Sequence, residues 1–263
     1  MALRTALWTV MTGAAQRAAR NMKRDFGEVE QLQVSQKGPS DFVSAADLRA
    51  EKTLRADLAK ARPKFGFLLE EGGDVKGEDS HHRWIIDPID GTTNFLHGIP
   101  HFAISIGLEM DGEIIAGLVY NPIVDEMFYA EKGKGAFLND KRLRVSSRSN
   151  LADCVIGTGI PFNGLPGHKP YLKQLERVMG TVAGVRRMGA ASLDLAYVAA
   201  GRFDAFWEMG LKPWDMAAGL ILVREAGGYV TELNGGKDVL ASGNVLTANP
   251  KIHKQLLDLL GAA

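Results

Sequence analysis

The chain has 263 residues, of which 46% are hydrophobic, so it can bury a sizeable core and does not have the composition of a disordered protein. Its 31 basic and 31 acidic residues cancel, which excludes an overall field that would recruit nucleic acid or an anionic membrane. The single cysteine, Cys154, excludes an internal disulfide and is interpreted as a packing residue in a reducing compartment. No apolar run approaches the ~18 residues that a membrane span needs, so no membrane partner is expected.

Two helices are predicted in the first 63 residues. Apolar residues recur at helical spacing over residues 3–22, and basic residues are scattered among them, so this stretch lacks a signal-peptide core and favours an amphipathic helix. We therefore expect a cytoplasmic protein. A second helix should begin at Ser44, which has the spacing of a capping box with Asp47, and end at Pro63 after running through Leu48, Leu54 and Leu58.

Two short apolar runs follow, and acidic residues stand at the end of each. Residues 65–69 (FGFLL) predict a buried strand that ends at Glu70. Residues 84–86 (WII) predict another buried strand. Because Pro88 has no amide donor, this strand should end near Asp87, so the acids around the proline should lie in a turn.

This second acidic segment has two interpretations. Asp87 and Asp90 could hold Mg²⁺ through their oxygens, while the N–H groups of a helix opened by residues 91–94 (GTTN) hold a phosphate. Alternatively, the segment is a turn in which an aspartate caps a helix, which is common for a lone Asp-x-x-Asp. The two carboxylates alone do not decide between these interpretations.

The rest of the chain predicts an antiparallel region followed by alternating strands and helices. The first contains strands at 102–110, 113–120, 127–130 and 142–145. The second half should contain strands at 154–158 and 245–248 and helices at 171–179, 192–200, 214–226 and 251–260. This order predicts an α+β sandwich, with two sheets layered between helices and two halves, 1–145 and 146–263.

A further acid stands near a predicted helix start in residues 212–219 (KPWDMAAG), where Asp215 falls in the first turn and the small residues after it allow close approach of another element. Taken singly, Asp215 could simply stabilise the helix dipole, and Glu70 could be a surface acid. Together with Asp87 and Asp90 they are four oxygen donors at element ends. No histidine or cysteine pair with zinc-like spacing competes, which selects magnesium and the chemistry of phosphoryl transfer.

Four motifs carry a resemblance that covers nearly the whole chain. They are DFVSAAD at 41–47, EE at 70–71, DPIDGTTN at 87–94 and WDMAAG at 214–219. In this order and spacing they resemble the inositol monophosphatase family of Mg²⁺-dependent, lithium-sensitive phosphatases. The segment 189–228 is particularly similar to the bacterial SuhB-like branch. The resemblance implies an αβαβα layered sandwich that usually assembles as a homodimer.

The resemblance also implies a ligand set for each metal. Glu70, Asp87 and the backbone carbonyl of Ile89 would hold the activating metal, and Asp87 would bridge to a second metal held by Asp90 and Asp215. The first half of the chain would then carry most of the ligands, and the second half would complete the site. Two or three Mg²⁺ ions are expected, with Mn²⁺ as a substitute and Li⁺ as an inhibitor.

Catalytic roles follow from the same resemblance. Thr92 would help to activate the attacking water, with Asp47 behind it as an orienting carboxylate, and Glu70 would act through the activating metal. Gly91 and Thr92 would offer backbone N–H groups to the phosphate. Lys37 lies where the family often has a lysine near the water, although a lysine before a turn is more often just solvated.

The resemblance assigns a substrate pocket to the second half. Gly189, Ala190 and Ala191 match the stretch that lines the sugar-alcohol pocket, and Glu208 matches an acid that receives substrate hydroxyls. Asp90 and Asp215 are expected to contact the substrate as well. The family commonly has glycine before the two glutamates and serine after them, whereas this chain has Leu69 and Gly72, and residues 159–163 are hard to align.

The expected substrate is a small phosphate monoester, with inositol 1-phosphate as the best single choice. Relatives with similar metal sites hydrolyse fructose 1,6-bisphosphate, histidinol phosphate or adenosine 3′,5′-bisphosphate. The lack of an obvious basic cluster for a second phosphate favours a monophosphate.

An interaction protein is the alternative from another class, since the SuhB-like branch is associated with the transcription machinery in some bacteria. Arg186, Arg187 and the basic stretch 141–148 could then contact RNA or protein. Zero net charge and the complete set of acids weigh against this as the only role.

Overall fold

The computed structural model of the chain describes residues 5–28, 34–38, 41–161, 164 and 166–261, except for the side chains of 34–38 and 41–43. Its helices are α1 (Ala6–Gly27), α2 (Ala45–Ala61), α3 (Thr92–Leu96), α4 (His168–Met179), α5 (Ala191–Ala199), α6 (Pro213–Glu225), α7 (Val239–Ser242) and α8 (His253–Gly261). The first strands are β1 (Val34–Gly38), β2 (Asp41–Ser44), β3 (Phe65–Leu69), β4 (Gly73–Val75), β5 (Asp79–Asp90), β6 (Ala103–Met110), β7 (Glu113–Asn121) and β8 (Glu126–Glu131). The others are β9 (Gly135–Leu138), β10 (Lys141–Arg142), β11 (Val155–Thr158), β12 (Gly184–Arg186), β13 (Ala205–Glu208), β14 (Tyr229–Thr231) and β15 (Val245–Ala248).

These strands form two principal sheets. The larger has eight strands in the order β10-β9-β8-β7-β6-β5-β3-β4, and the smaller has five in the order β12-β11-β13-β15-β14. Pairing in the larger sheet is antiparallel except between β3 and β5, whereas β11 runs parallel to both of its neighbours. Strands β1 and β2 form a separate antiparallel pair.

Side-chain alternation along the strands divides the core into three layers. In β5, Trp84 and Ile86 pack with α1 and α2, whereas Ile85 packs on the opposite face with α5 and α6. In β13, Phe206 joins the same α5 and α6 layer, and its neighbour Trp207 packs with α4 and α8. This two-residue alternation buries both faces of both sheets. The order is therefore helices, sheet, helices, sheet, helices, and the predicted αβαβα sandwich is confirmed.

The capping box predicted for α2 is also confirmed. The Ser44 hydroxyl accepts a hydrogen bond from the N–H of Ala46, and the Asp47 carboxylate accepts from the N–H of Ser44 at 2.8 Å. The helix ends at Ala61, close to the predicted stop. Leu48, which was assigned to the apolar pattern of this helix, is 54% exposed.

The prediction that the second acidic strand ends near Asp87 is wrong. Strand β5 continues through Pro88 to Asp90, because Asp87 is opposite Ser105 on β6 whereas Asp90 is opposite Ala103. Three steps on one strand therefore match two on the other, which is a β-bulge. A bulge tolerates a proline because it already interrupts the ladder.

The prediction of a strand at 142–145 is wrong for residues 143–145, because β10 ends at Arg142. The N–H of Leu143 still donates to Ala136 on β9, but that of Val145 donates to Ala226 after α6, so the chain has left the sheet. The short strands β1, β2, β4, β9, β12, β13 and β14 were not predicted. The division into halves at residues 145 and 146 stays a prediction. Among the described residues, no helix is long and apolar enough to span a membrane.

Candidate metal centre

Three of the predicted acids meet in one cluster. Asp87, Asp90 and Asp215 each place a carboxylate oxygen within 4.8 Å of the others. The first two lie at the bulged end of β5, and the third lies in the first turn of α6. Residues three apart in a regular strand point to opposite faces, so the bulge at Pro88 is what allows both β5 acids to join one cluster.

The position of α6 relative to β5 is fixed by a contact through β6. Asp87 is opposite Ser105, and the buried Ser105 hydroxyl donates to the backbone carbonyl of Trp214 at 3.0 Å. Trp214 immediately precedes Asp215, so this hydrogen bond holds the start of α6 beside the end of β5. The Asp215 carboxylate is further oriented by the N–H of Lys212, which donates to it at 2.7 Å.

Backbone and hydroxyl donors also orient the two β5 acids. The Asp87 carboxylate accepts from the N–H of Ile89 at 2.9 Å. Asp90 accepts from the N–H of Ser192 at 2.7 Å and from the Ser192 hydroxyl, at the start of α5. Each carboxylate is therefore held in place by hydrogen bonds that leave part of its acceptor capacity for a further ligand.

The acids of the cluster destabilise one another's charges. Burial raises the pKa of Asp87 well above its usual value, and the charges of Glu70, Asp90 and Asp215 raise it further. Burial raises the pKa of Asp90 to about 6, against the hydrogen bonds from Ser192. Burial and then the charge of Asp90 raise the pKa of Asp215 to about 8. A divalent cation would remove this repulsion, and an all-oxygen donor set suits Mg²⁺, so the residues present fit a hard metal ion.

Glu70 lies next to this cluster but not within the set of three. Its N–H donates to the carbonyl of Ile86, the residue before Asp87, and both its charge and a hydrogen bond to Asp87 contribute to the raised Asp87 pKa. The turn that follows is held by Glu51 on α2, which accepts from the N–H of Glu71 at 2.9 Å. Glu51 was not predicted, although it lies one helical turn after Asp47 and so faces the same way.

Thr92 and Asp47 are brought together as predicted from the family motif. The Thr92 hydroxyl lies 3.3 Å from an Asp47 oxygen and 3.0 Å from the carbonyl oxygen of Ile89. Asp47 is fully buried, and burial raises its pKa against the hydrogen bonds from Ser44. The backbone of Lys37 lies in β1, but its side chain is outside the described part of the chain.

Gly91 contacts the segment that was predicted to line the substrate pocket. It has a left-handed backbone with φ of 94°, and a Cβ there would lie 3.1 to 3.2 Å from atoms of His101, Gly189 and Ala190. The buried Asn94 amide donates to the carbonyls of His101 at 2.8 Å and Met188 at 2.9 Å. The start of α3 and residues 189–191 are thus joined. Of the hard-to-align loop, Phe162 and Asn163 lie outside the described residues.

Glu208 is the last residue of β13. Burial raises its pKa to about 8 and the charge of Asp90 adds to the shift, whereas Arg187 opposes it. Asp194 on α5 is a second buried acid that interacts with both Glu208 and Asp90, and its Oδ1 has no hydrogen-bond partner among the described residues. Ser192 and Asp194 were not predicted, although polar residues in the apolar helix 191–199 are a signal that sequence analysis could have used.

This site belongs to the class of buried, carboxylate-rich centres for divalent metals, carried by an αβαβα sandwich. The sequence profile of the inositol monophosphatase family matches residues 4–262. The chain is a member of the inositol monophosphatase family.

Individual relatives match over nearly the full length. An inositol-1-monophosphatase of Mesorhizobium japonicum is 59% identical, over 97% of this chain and 96% of the relative. The Nus factor SuhB of Pseudomonas aeruginosa is 46% identical, over 94% of both chains. A crystal structure of the extragenic suppressor protein suhB from Bartonella henselae has a TM-score of 0.95 and 58% identity, covering 97% of this chain and 98% of that one.

Proposed function

We propose that this protein is an Mg²⁺-dependent phosphate monoester hydrolase whose preferred substrate is inositol 1-phosphate. The observation that carries the proposal is the cluster of three aspartates beside the Thr92–Asp47 pair. Relatives named inositol-1-monophosphatase at 56 to 59% identity support the same conclusion.

The proposed metal ligands are the predicted set. Glu70, Asp87 and the Ile89 carbonyl would hold one ion, and Asp87, Asp90 and Asp215 would hold the other. When bound, the metal ions supply Lewis-acid chemistry, which polarises the phosphate and lowers the pKa of water. The carboxylates supply the negative charge that keeps the ions in place, and their hydrogen bonds fix the direction of each ligand oxygen.

Thr92 and Asp47 would accept the proton that the attacking water loses. The Thr92 hydroxyl has one proton and two acceptors within reach, Asp47 and the Ile89 carbonyl. With the Ile89 carbonyl assigned to a metal ion, the Thr92 hydroxyl would donate to Asp47. As the Thr92 oxygen takes a proton from the attacking water, its own proton would pass to the Asp47 carboxylate. As water bonds to phosphorus, the ester P–O bond breaks, and the released alcohol takes its proton from solvent.

Glu208 and residues 189–191 would bind the alcohol part of the substrate. A carboxylate can accept hydrogen bonds from neighbouring ring hydroxyls, which favours a polyol over a simple alkyl phosphate. The positive charge of Arg187 interacts with the Glu208 carboxylate. A second phosphate on the substrate would compete with Glu208 for that charge. This favours a monophosphate over fructose 1,6-bisphosphate or adenosine 3′,5′-bisphosphate, and histidinol phosphate remains the alternative monoester.

The finer properties belong to the same proposal. They are use of Mg²⁺ with Mn²⁺ as a substitute, inhibition by Li⁺, a homodimer and a cytoplasmic location. Relatives named Nus factor SuhB support a role in transcription only by name. In the basic stretch 141–148, Arg148 is paired with the buried Asp204 at 3.1 Å, which leaves its guanidinium less available for an RNA contact.

The test is phosphate release from inositol 1-phosphate, fructose 1,6-bisphosphate, histidinol phosphate and adenosine 3′,5′-bisphosphate. Each would be measured with Mg²⁺, with EDTA and with Mg²⁺ plus Li⁺. We expect Mg²⁺-dependent, Li⁺-inhibited release that is fastest with inositol 1-phosphate. Asp90→Asn should lower turnover by several orders of magnitude, whereas Asp74→Asn, an exposed aspartate on β4, should not. Phosphate release that is as fast in EDTA as in Mg²⁺ would refute the metal mechanism. Faster release from one of the other three esters would refute the assignment of inositol 1-phosphate as the preferred substrate.

A further inference from the structure

The register of the smaller sheet places Gly159 next to Glu208. Strand β11 runs parallel to β13, with Ile156 opposite Ala205 and Thr158 opposite Trp207. The next residue on each strand is Gly159 and Glu208. The buried Thr158 hydroxyl donates to the carbonyl of Gly159 at 3.0 Å, which holds the glycine backbone at the strand end.

The Glu208 carboxylate occupies the space that a side chain at position 159 would need. A Cβ built on Gly159 would lie 1.8 Å from the carboxyl carbon and from Oε1 of Glu208, and 2.3 Å from Oε2. No non-bonded atoms approach this closely, so any residue other than glycine requires Glu208 to move. The obstacle is the end of a flexible side chain, so the movement does not require the backbone to shift.

The backbone itself does not demand glycine at this position. The φ angle of Gly159 is outside the left-handed region, in contrast to Gly91 and Gly189, whose φ angles are 94° and 84°. Other residue types therefore fit the backbone conformation of Gly159. The contact with Glu208 is the feature of the structure that favours glycine here.

A side chain at position 159 would change the position of the Glu208 carboxylate relative to the phosphate site. Its charge interacts with that of Asp90 in the metal cluster and with Arg187, and Asp194 is a second buried acid beside it. A hydroxyl-binding carboxylate is effective only when its oxygens stand at hydrogen-bond distance from the bound substrate, and a displacement of about 1 Å loses much of that interaction.

We propose that Gly159 is a positioning residue that determines substrate preference. Because residue 159 has no side chain, the Glu208 carboxylate can occupy the place where it receives the hydroxyls of a polyol phosphate. This inference rests on the proposed function, which assigns the hydroxyls to Glu208. Gly159 itself has no side chain to touch the substrate, so its effect passes entirely through Glu208.

A double-mutant cycle tests this inference. Gly159→Ala, Glu208→Ala and the double variant would be assayed on inositol 1-phosphate and on p-nitrophenyl phosphate, an ester without ring hydroxyls. We expect Gly159→Ala to lower the ratio of kcat/KM for the two esters by about 10- to 100-fold, the range for a lost hydrogen bond to a charged group. In the Glu208→Ala background, the same substitution should change the ratio by less than about twofold.

A second readout of the cycle does not depend on the substrate. The clash predicts that Gly159→Ala lowers Tm when Glu208 is present and does not lower it when residue 208 is alanine. Gly180→Ala is the matched control, since Gly180 has a φ of −73° and its Cβ would meet atoms only at 3.6 and 3.7 Å. It should change neither Tm nor the ratio.

The outcomes separate this inference from the proposed function. If Gly159→Ala keeps the wild-type ratio, or if its effects on ratio and Tm are the same in both backgrounds, the inference is overturned. If the Tm cycle shows the coupling but wild type does not prefer inositol 1-phosphate, the contact stands and the substrate assignment fails. In that case the role of Gly159 in substrate preference is also refuted.

Discussion

Loss of Glu51 should weaken metal binding although Glu51 is not itself a proposed ligand. This glutamate is 7% exposed, and its two carboxylate oxygens both lie beside the turn after Glu70. One oxygen accepts from the N–H of Glu71 at 2.9 Å, and the other lies 3.0 Å from where a Cβ of Gly72 would be. The turn that carries Glu70 is thereby attached to the rigid helix α2.

The size of the effect follows from that hydrogen bond. A hydrogen bond to a charged group contributes about 1.5 to 3 kcal/mol, and without it the metal must order the turn as it binds. At about 1.4 kcal/mol per factor of ten, Glu51→Ala should weaken Mg²⁺ binding roughly 10- to 100-fold. Glu51→Gln keeps an oxygen acceptor and should retain most of the affinity.

Calorimetric titration with Mg²⁺, together with the Mg²⁺-dependent rise in Tm, measures this effect without reference to turnover. Lys52→Ala, at the next and exposed position of α2, is the matched control. A folded Glu51→Ala protein that binds Mg²⁺ like wild type would show that the turn is ordered independently of Glu51, and the reasoning would be refuted.

Three further predictions concern the charges and the hydrogen bonds of the site. Burial raises the pKa of Asp90 from 3.8 to about 6 and that of Asp215 from 3.8 to about 8, so the folded state binds protons more tightly than the unfolded state. In EDTA, Tm should therefore fall as pH rises from about 4 to 8. Bound Mg²⁺ should make Tm depend less on pH. Thr92→Ala should keep the Mg²⁺-dependent rise in Tm and lose about 10²- to 10⁴-fold in kcat, whereas an unchanged kcat would remove Thr92 from the mechanism. Asn94→Ala leaves the carbonyls of two segments without their donor and should lower stability by about 1 to 3 kcal/mol per lost partner, measured by urea unfolding.

Local signals explain most of what the sequence predicted correctly. The capping box at Ser44 and Asp47 and the helix start at Pro213 depend on residues within one turn, so the chain order alone reveals them. The four acids were grouped from their positions at element ends, and the family resemblance then implied a role for each. The oxygen-only chemistry of these acids pointed to a hard metal before any geometry was known.

The features that sequence analysis missed depend on contacts between distant segments. The hydrogen bond from Ser192 to Asp90 joins residues 102 apart, and Ser105 contacts Trp214 across 109 residues. The bulge at Pro88 was missed because a proline in an apolar run normally ends a strand, and only the register against β6 shows that the strand continues. Strands of three or four residues, such as β12 and β13, are too short for alternation to identify them.

The metal cluster is ultimately positioned by how closely α6 approaches the larger sheet. A Cβ on Gly107 of β6 would lie 2.8 Å from the Cβ of Ala217, and one on Gly117 of β7 would lie 2.6 Å from the carbonyl oxygen of Ala218. The glycines on the strands and the alanines on the helix therefore allow backbone-to-backbone contact directly after Asp215. Larger residues at either glycine would force the helix outward and carry Asp215 away from Asp87. The small residues of WDMAAG thus set the distance between the two metal-binding segments, and side-chain volume in the core determines the geometry of the charged site.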